Sequence, residues 1–405
     1  MNMLINFKTD LKRPTFLFLM LFAFGLATLA CSEESVTRSV TIIDSELTKN
    51  LPESRSVLLG VQPFPHDISE EASDQAYDFM YEHSDLLFYH LDNGIPWPEA
   101  LADEPYHPNF MEDIERMVAR RKPGQPLYLA ITPNQPKRNH IALYRGVDES
   151  MDLPPAWQGK SFDDHDVITA YLNHSRYMIE TFDPDYFAYG IEVTCNFASA
   201  DDPNLIQFLH LAEAVYPMLK QEYPDLPIFL TICTGSFEVD DINILFELGR
   251  RVLEYSDYVA VSTYPYWIVP GLKIKQANPD DLPRDWFAQW AELAPEKPFV
   301  VAETAYPAED LKMTPVLGWR VDIEANEALQ ARYVAFMLEA LNDLGAEFVA
   351  WFVPRDYDAL YEWITEQIGE VEFYKTWRDT GFLDGDGNPR PALLVWDAWL
   401  AVPHE

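Results

Sequence analysis

The chain has 405 residues, 48% of them hydrophobic and 14% aromatic, with a formal net charge of −37. That apolar content excludes a disordered chain, and the charge excludes nucleic acid as a partner, since so acidic a surface repels phosphates and anionic membranes. A solvated acidic surface accounts for the charge, and a strongly anionic polysaccharide would need a locally basic cleft.

The first 30 residues read as a secretory signal peptide. Lys8, Lys12 and Arg13 form a basic region ahead of the apolar stretch 16–30, which is short for a bilayer span but suited to export. Residues 31–52 are polar and unpatterned and read as a flexible tether. The text Thr28-Leu-Ala-Cys31 resembles the lipobox of bacterial lipoproteins, with Thr28 standing where that motif usually has Leu. The resemblance implies lipidation at Cys31, a protein held on the outer membrane or the periplasmic face, and membrane contact only through the N-terminal lipid. The other reading is an ordinary signal with a cysteine near its cleavage site, which gives a secreted protein. Export leaves Cys195 and Cys233 as a pair that an oxidising compartment permits to join. Two buried thiols packed as small apolar residues are the alternative.

From residue 56 onward, strand and helix patterns alternate. Short apolar runs occupy 56–63, 86–91, 126–132, 186–193, 227–233, 258–262, 298–302 and 347–353, as parallel strands covered on both faces require. Amphipathic helical spacing fills 67–83, 109–121, 164–182, 204–223, 242–255 and 326–345, with a weaker pattern over 279–293. The connection 133–163, rich in Pro, Asn and Gly, is predicted to form a loop over one end of the fold. There is no composition break between 56 and 400 and no internal repeat. Eight alternations without a boundary predict an α/β fold, a single-domain (β/α)8 TIM barrel over residues 53–402, rather than two doubly wound domains.

In such a barrel the C-terminal strand ends form the active face. Glu192 closes the fourth run and Glu303 the seventh. Two carboxyls across that mouth are the machinery of glycoside hydrolysis, one as acid/base and one as nucleophile. Glu303 would attack an anomeric carbon and needs donors that keep it ionised. Glu192 would carry a proton, which burial among aromatics such as Tyr189 and Phe197 would favour. Taken singly, either glutamate is equally a structural carboxylate at a strand end. His90, Asp92 and Asn134 also fall near strand ends and are candidates for sugar hydroxyls. The chain has no Gly-rich phosphate loop, no metal-spaced His or Cys cluster and no Gly-x-Ser-x-Gly elbow. No metal and no cofactor are expected.

The placement of the two glutamates resembles clan A of the glycoside hydrolases, and three patches are most similar to family 53, the arabinogalactan endo-β-1,4-galactanases. These are Asp257-Tyr-Val-Ala-Val-Ser-Thr-Tyr-Pro-Tyr-Trp267, Glu303-Thr-Ala-Tyr-Pro307, and Phe88-Tyr-His-Leu-Asp92 with Trp97 beyond it. The turn 381–392 resembles the clan's approach to its last helix, and Asp384 and Asp386 within it read as a solvated turn rather than a calcium site. The resemblance implies a retaining hydrolase of β-linked polysaccharide or oligosaccharide, with β-1,4-galactan as the family's substrate. It implies that Tyr264 donates to Glu303. Trp351, by its place on the eighth strand, is a candidate to lie beneath the sugar, with a core tryptophan as the alternative. Trp97, Trp267 and Tyr266 are weaker subsite candidates. One departure stands out: Ile191 occupies the position before the acid/base where the clan has Asn. Asn196, or a residue of another loop, is the candidate replacement. Ile191 also sustains the alternative of a non-catalytic, glycan-binding surface lipoprotein built on a hydrolase-like barrel.

Overall fold

The structure, a computed structural model, describes residues 46–236, 239–266, 269–316 and 319–405. Cys31 and Trp267 lie outside the described residues. The barrel strands are β1 (Leu58–Val61), β2 (Leu86–Leu91), β3 (Leu127–Ile131), β4 (Tyr186–Ala188), β5 (Ile228–Phe229), β6 (Thr231–Cys233), β7 (Val259–Thr263), β8 (Phe299–Thr304) and β11 (Phe348–Trp351). They hydrogen-bond in the order β5-β4-β3-β2-β1-β11-β8-β7-β6, every pair parallel. The two ends of that list are halves of one run, interrupted only at Leu230. The sheet therefore closes on itself, and the predicted (β/α)8 barrel is the observed fold.

Local chemistry starts the surrounding helices. Ser69 accepts from the Ala72 amide at the start of helix Glu70–His83, and Asp202, Asp241 and Asn326 cap three later helices in the same way. Pro108, Pro203 and Pro391 occupy first helical positions, where proline loses no hydrogen bond. The 279–293 pattern resolves into two short pieces, Pro279–Asp281 and Ala288–Ala291. The three longest features that went unpredicted are insertions between the barrel elements. An antiparallel hairpin, β9 (Leu311–Val316) and β10 (Trp319–Ile323), follows β8. The helix Trp97–Ala102 follows β2, and the helix Asp358–Ile368 follows β11.

Alternation along each strand splits the core in two. Inside the barrel, Leu86, Phe88, Tyr128, Ala130, Ala188, Ile191, Phe229, Tyr258, Ala260, Val300, Ala302, Phe348 and Ala350 form one cluster. Phe88 stacks on Tyr128 at 4.6 Å and Phe229 on Tyr258 at 5.4 Å, so the lumen is filled rather than open. The alternate residues, among them Leu59, Val61, Leu87, Leu129, Phe187, Val259, Val261, Val301, Val349 and Trp351, pack outward against the helices.

Candidate active site

The two-residue strand period decides which side chains crown the barrel. On β7 the inward phase Tyr258, Ala260 continues to Ser262 and Tyr264. On β2 it runs Leu86, Phe88, His90. Glu303 needs one more device, because Val301, two residues before it, faces outward. The register of β8 slips by one residue here: Val261 pairs with Val301 but Ser262 pairs with Glu303. This bulge keeps Ala302 in the lumen, turns Glu303 to the mouth and leaves Thr304 facing outward to Tyr333.

Glu303 is buried between two partners. The Tyr264 hydroxyl donates to Oε1, and His90 Nδ1 lies 2.7 Å from Oε2. Burial alone pushes the Glu303 carboxyl up, but His90 and the Tyr264 hydrogen bond outweigh it and hold it below its ordinary value. For His90, burial pushes downward, and the charges of Glu303 and Asp92 raise the imidazole to about 9. His90 Nε2 lies 3.6 Å from Asp92 Oδ2, so the cation sits between two carboxylates. Tyr264 and His90 are thus the two side chains that contact the Glu303 carboxylate oxygens.

Glu192 reaches the mouth differently. β4 ends at Ala188, short of the predicted 193, and Glu192 lies in the turn that follows with φ +51. Its amide donates to Thr231 Oγ1 at 2.7 Å, and its carboxylate accepts from Ser262 Oγ at 2.7 Å and from Arg138 Nη2 at 3.0 Å. Arg138 also approaches Asp92 Oδ2 at 3.4 Å. The two glutamates are thereby joined through Glu192–Arg138–Asp92–His90–Glu303, a chain of contacts from one side of the mouth to the other.

Several expectations need correction. Tyr189 and Phe197 do not surround the Glu192 carboxyl. Both pack outward, and the Tyr189 hydroxyl donates to the Tyr255 carbonyl. Trp351 is fully buried in the outer core, stacked on Phe382 at 4.7 Å, with its Nε1 donating to the Thr380 carbonyl. The inward phase Phe348, Ala350 leads instead to Phe352, which packs on Phe64 in an apolar cluster at the barrel mouth that Tyr264 and Trp377 adjoin. A one-residue difference on a strand is a change of face. Trp97 is likewise fully buried, stacked on Trp157 and bonded to the Ala142 carbonyl. Tyr266 is buried with its hydroxyl on the Thr376 carbonyl. Asn134 and Asn196 spend their amide donors on the carbonyls of Arg138 and Lys137, at 2.9 and 2.8 Å, and so shape the loop that presents Arg138. Ile191 packs in the lumen, with its amide bonded to Thr132 Oγ1.

The site residues that the sequence did not mark are Arg138 and Ser262. Ser262 shares its inward phase with Tyr264, so the period could have found it. Arg138 sits in an aperiodic loop with φ +60, and no pattern marks it.

Cys195 and Cys233 form a disulfide, with Cα atoms 5.2 Å apart, in place of two free thiols. A cavity of about 530 Å³ is lined by Glu309, Asp310, Lys312, Lys375, Arg378 and Asp379 among others, and by neither glutamate of the pair. Of the charged groups in its wall, Lys312 pairs with Asp310, and Arg378 with Asp379.

Fold and site together define a closed parallel (β/α)8 barrel with two glutamates at the C-terminal mouth. No family model and no curated protein matches the chain. Its fold is similar to a GH5_18 protein from Streptomyces cattleya solved with GlcNAc (TM-score 0.52, 14% identity, covering 86% of this chain and 81% of that one). It is also similar to xylanase 10B from Thermotoga maritima (TM-score 0.54, 12% identity, 89% and 96% covered). A third similar structure is the exo-beta-1,4-mannosidase Op5Man5 from Opitutaceae bacterium strain TAV5 (TM-score 0.55, 12% identity, 85% and 60% covered).

Proposed function

We propose that this chain is a retaining glycoside hydrolase acting on β-linked glycans. The observation that carries this reading is the joining of Glu192 and Glu303, from the fourth and seventh barrel strands, in one network at the mouth. Three barrels of similar fold bear on it through what was solved: a complex with GlcNAc, a xylanase and an exo-beta-1,4-mannosidase.

In the first step Glu303, ionised by His90 and Tyr264, attacks the anomeric carbon while Glu192 protonates the departing oxygen. The C–O bond breaks and a glycosyl-enzyme forms. In the second step Glu192 takes a proton from water, which attacks the same carbon and frees Glu303. Glu192 must part from Arg138 before it can protonate the leaving oxygen. The resemblance of the β7 and β8 patches to family 53 makes β-1,4-galactan the first substrate to test. The Cys195–Cys233 bond supports an exported protein, since disulfides persist in oxidising compartments. We extend the proposal to anchoring through a lipid on Cys31.

The Arg138–Glu192 ion pair and Ile191 favour a second reading, a glycan-binding protein without turnover. Incubation with galactan, β-glucans, mannans and xylan separates the two. Release of reducing ends that disappears in Glu303→Gln supports hydrolysis. Saturable binding with no release, unchanged by that substitution, supports the binder and refutes the enzyme.

A further inference from the structure

The turn that carries Glu192 is tied along β6 at every residue. The Glu192 amide donates to Thr231 Oγ1 at 2.7 Å, and the Val193 amide to the Thr231 carbonyl at 2.9 Å. Thr194 Oγ1 accepts from the Cys233 amide at 3.0 Å, and Cys195 is bonded covalently to Cys233. The Cys195 amide returns to the Glu192 carbonyl at 3.2 Å and closes the turn. A Glu192 carboxylate oxygen and both sulfurs lie within 4.8 Å of one another. Glu192 itself is left-handed at φ +51, a conformation that a residue with a Cβ keeps only when its surroundings impose it.

The geometry points to a positioning role for the Cys195–Cys233 disulfide in the proposed reaction. It clamps the 192–195 turn onto the fifth barrel strand so that the Glu192 carboxyl meets the glycosidic oxygen. This inference rests on the reading of Glu192 as acid/base. The hydrogen bonds in the clamp are individually exchangeable with water, whereas the covalent link is not. Without it, Glu192 is free to leave the left-handed region, and the carboxyl turns away from the oxygen it serves. The nucleophile is unaffected, because Glu303 is held by His90 and Tyr264 on other strands. A dithiol that reduces the link breaks the S–S bond, leaves two protein thiols and is itself oxidised to a disulfide. Acid assistance is therefore delivered in full only where the surroundings are oxidising.

The test exploits leaving groups. A dinitrophenolate departs without protonation, whereas a phenolate needs it, so kcat/KM on the two aryl β-glycosides separates acid assistance from attack by Glu303. The full-length protein and its Cys195→Ser/Cys233→Ser variant are compared on both, using the sugar that the polysaccharide panel identifies. The variant is expected to keep dinitrophenyl glycoside kcat/KM within about twofold and to lose about tenfold or more on the phenyl glycoside, the scale of a displaced general acid. Wild type reduced with dithiothreitol should show the same split and recover on reoxidation, which covers a variant that fails to fold. Equal losses on both substrates, or no loss on either, overturn the inference. Glu192→Gln run beside it must show the same selectivity. If wild type turns over but Glu192→Gln shows no leaving-group dependence, the acid/base assignment has failed and this inference falls with it. If Glu192→Gln shows the split and the cysteine variant does not, only this inference falls.

Discussion

The sharpest quantitative consequence of the site concerns His90. Burial alone would lower its pKa, yet Glu303 and Asp92 push the imidazole up to about 9 from an ordinary 6.5. The folded protein thus holds a proton that the unfolded chain releases near pH 6.5. A group raised on folding contributes stability that is complete below its unfolded value and is lost as pH climbs through its folded value. The rise from 6.5 to about 9 is a gap of about 2.5 units. At about 1.4 kcal/mol per unit, this one side chain costs the protein about 3.5 kcal/mol of stability across that window. Urea unfolding of wild type and His90→Gln at intervals between pH 6 and 10 measures it. Groups such as Asp356, raised by burial to about 8, titrate in both proteins and cancel in the difference. The wild-type advantage over the variant should shrink by about 1.4 kcal/mol per pH unit between 6.5 and 9. Removing the cation beside Glu303 should also move the acid limb of the activity profile to higher pH. Parallel stability curves, or an imidazole NMR titration centred near 6.5, would refute the reasoning.

The remaining predictions concern other parts of the fold. Tyr264→Phe removes the hydroxyl on Glu303 and should lower kcat/KM by about ten- to a hundredfold, the worth of a hydrogen bond to a charged group, with little change in melting temperature. Trp351→Ala empties a fully buried site and should cost about 3–5 kcal/mol in urea unfolding, while the KM of any folded variant stays unchanged. A weakened KM at full stability would restore Trp351 as a sugar platform. His174 is buried and lowered to about 3, so it is neutral when folded and takes a proton on unfolding below pH 6.5. Stability present above pH 6.5 is lost as pH falls, by about 2.5 kcal/mol between pH 7 and 4.5, and His174→Gln should abolish that part of the loss in urea titrations.

The fold was legible because a parallel barrel repeats one instruction: a short run apolar on both faces, then an amphipathic helix. All eight predicted runs hold a barrel strand, and the interruption at Leu230 leaves the inward phase of Phe229 and Thr231 intact. The insertions after the seventh and eighth strands were not legible. Hairpin β9–β10 and helix Asp358–Ile368 answer to no alternation that the barrel requires.

The site was legible where the strand period runs true and obscure where it breaks. Tyr264 follows Tyr258 in phase and its hydroxyl donates to Glu303. Trp351 lies on the outward phase of its strand, so its ring serves the outer core and not the mouth. Its outward neighbour Val349 and inward neighbour Ala350 settle the face. The two glutamates are the informative exceptions, since a register shift on β8 reorients Glu303 and β4 ends four residues before Glu192. A bulge at Ala302 turns Glu303 to the mouth, and a left-handed residue in a turn stapled by a disulfide does the same for Glu192. Both devices depart from regular geometry at the residues whose direction matters most, and both are held by groups on neighbouring strands rather than by local preference. That is why the type and approximate place of the two carboxylates could be read from one chain, while the way each is aimed, and the arginine that meets one of them, required the fold.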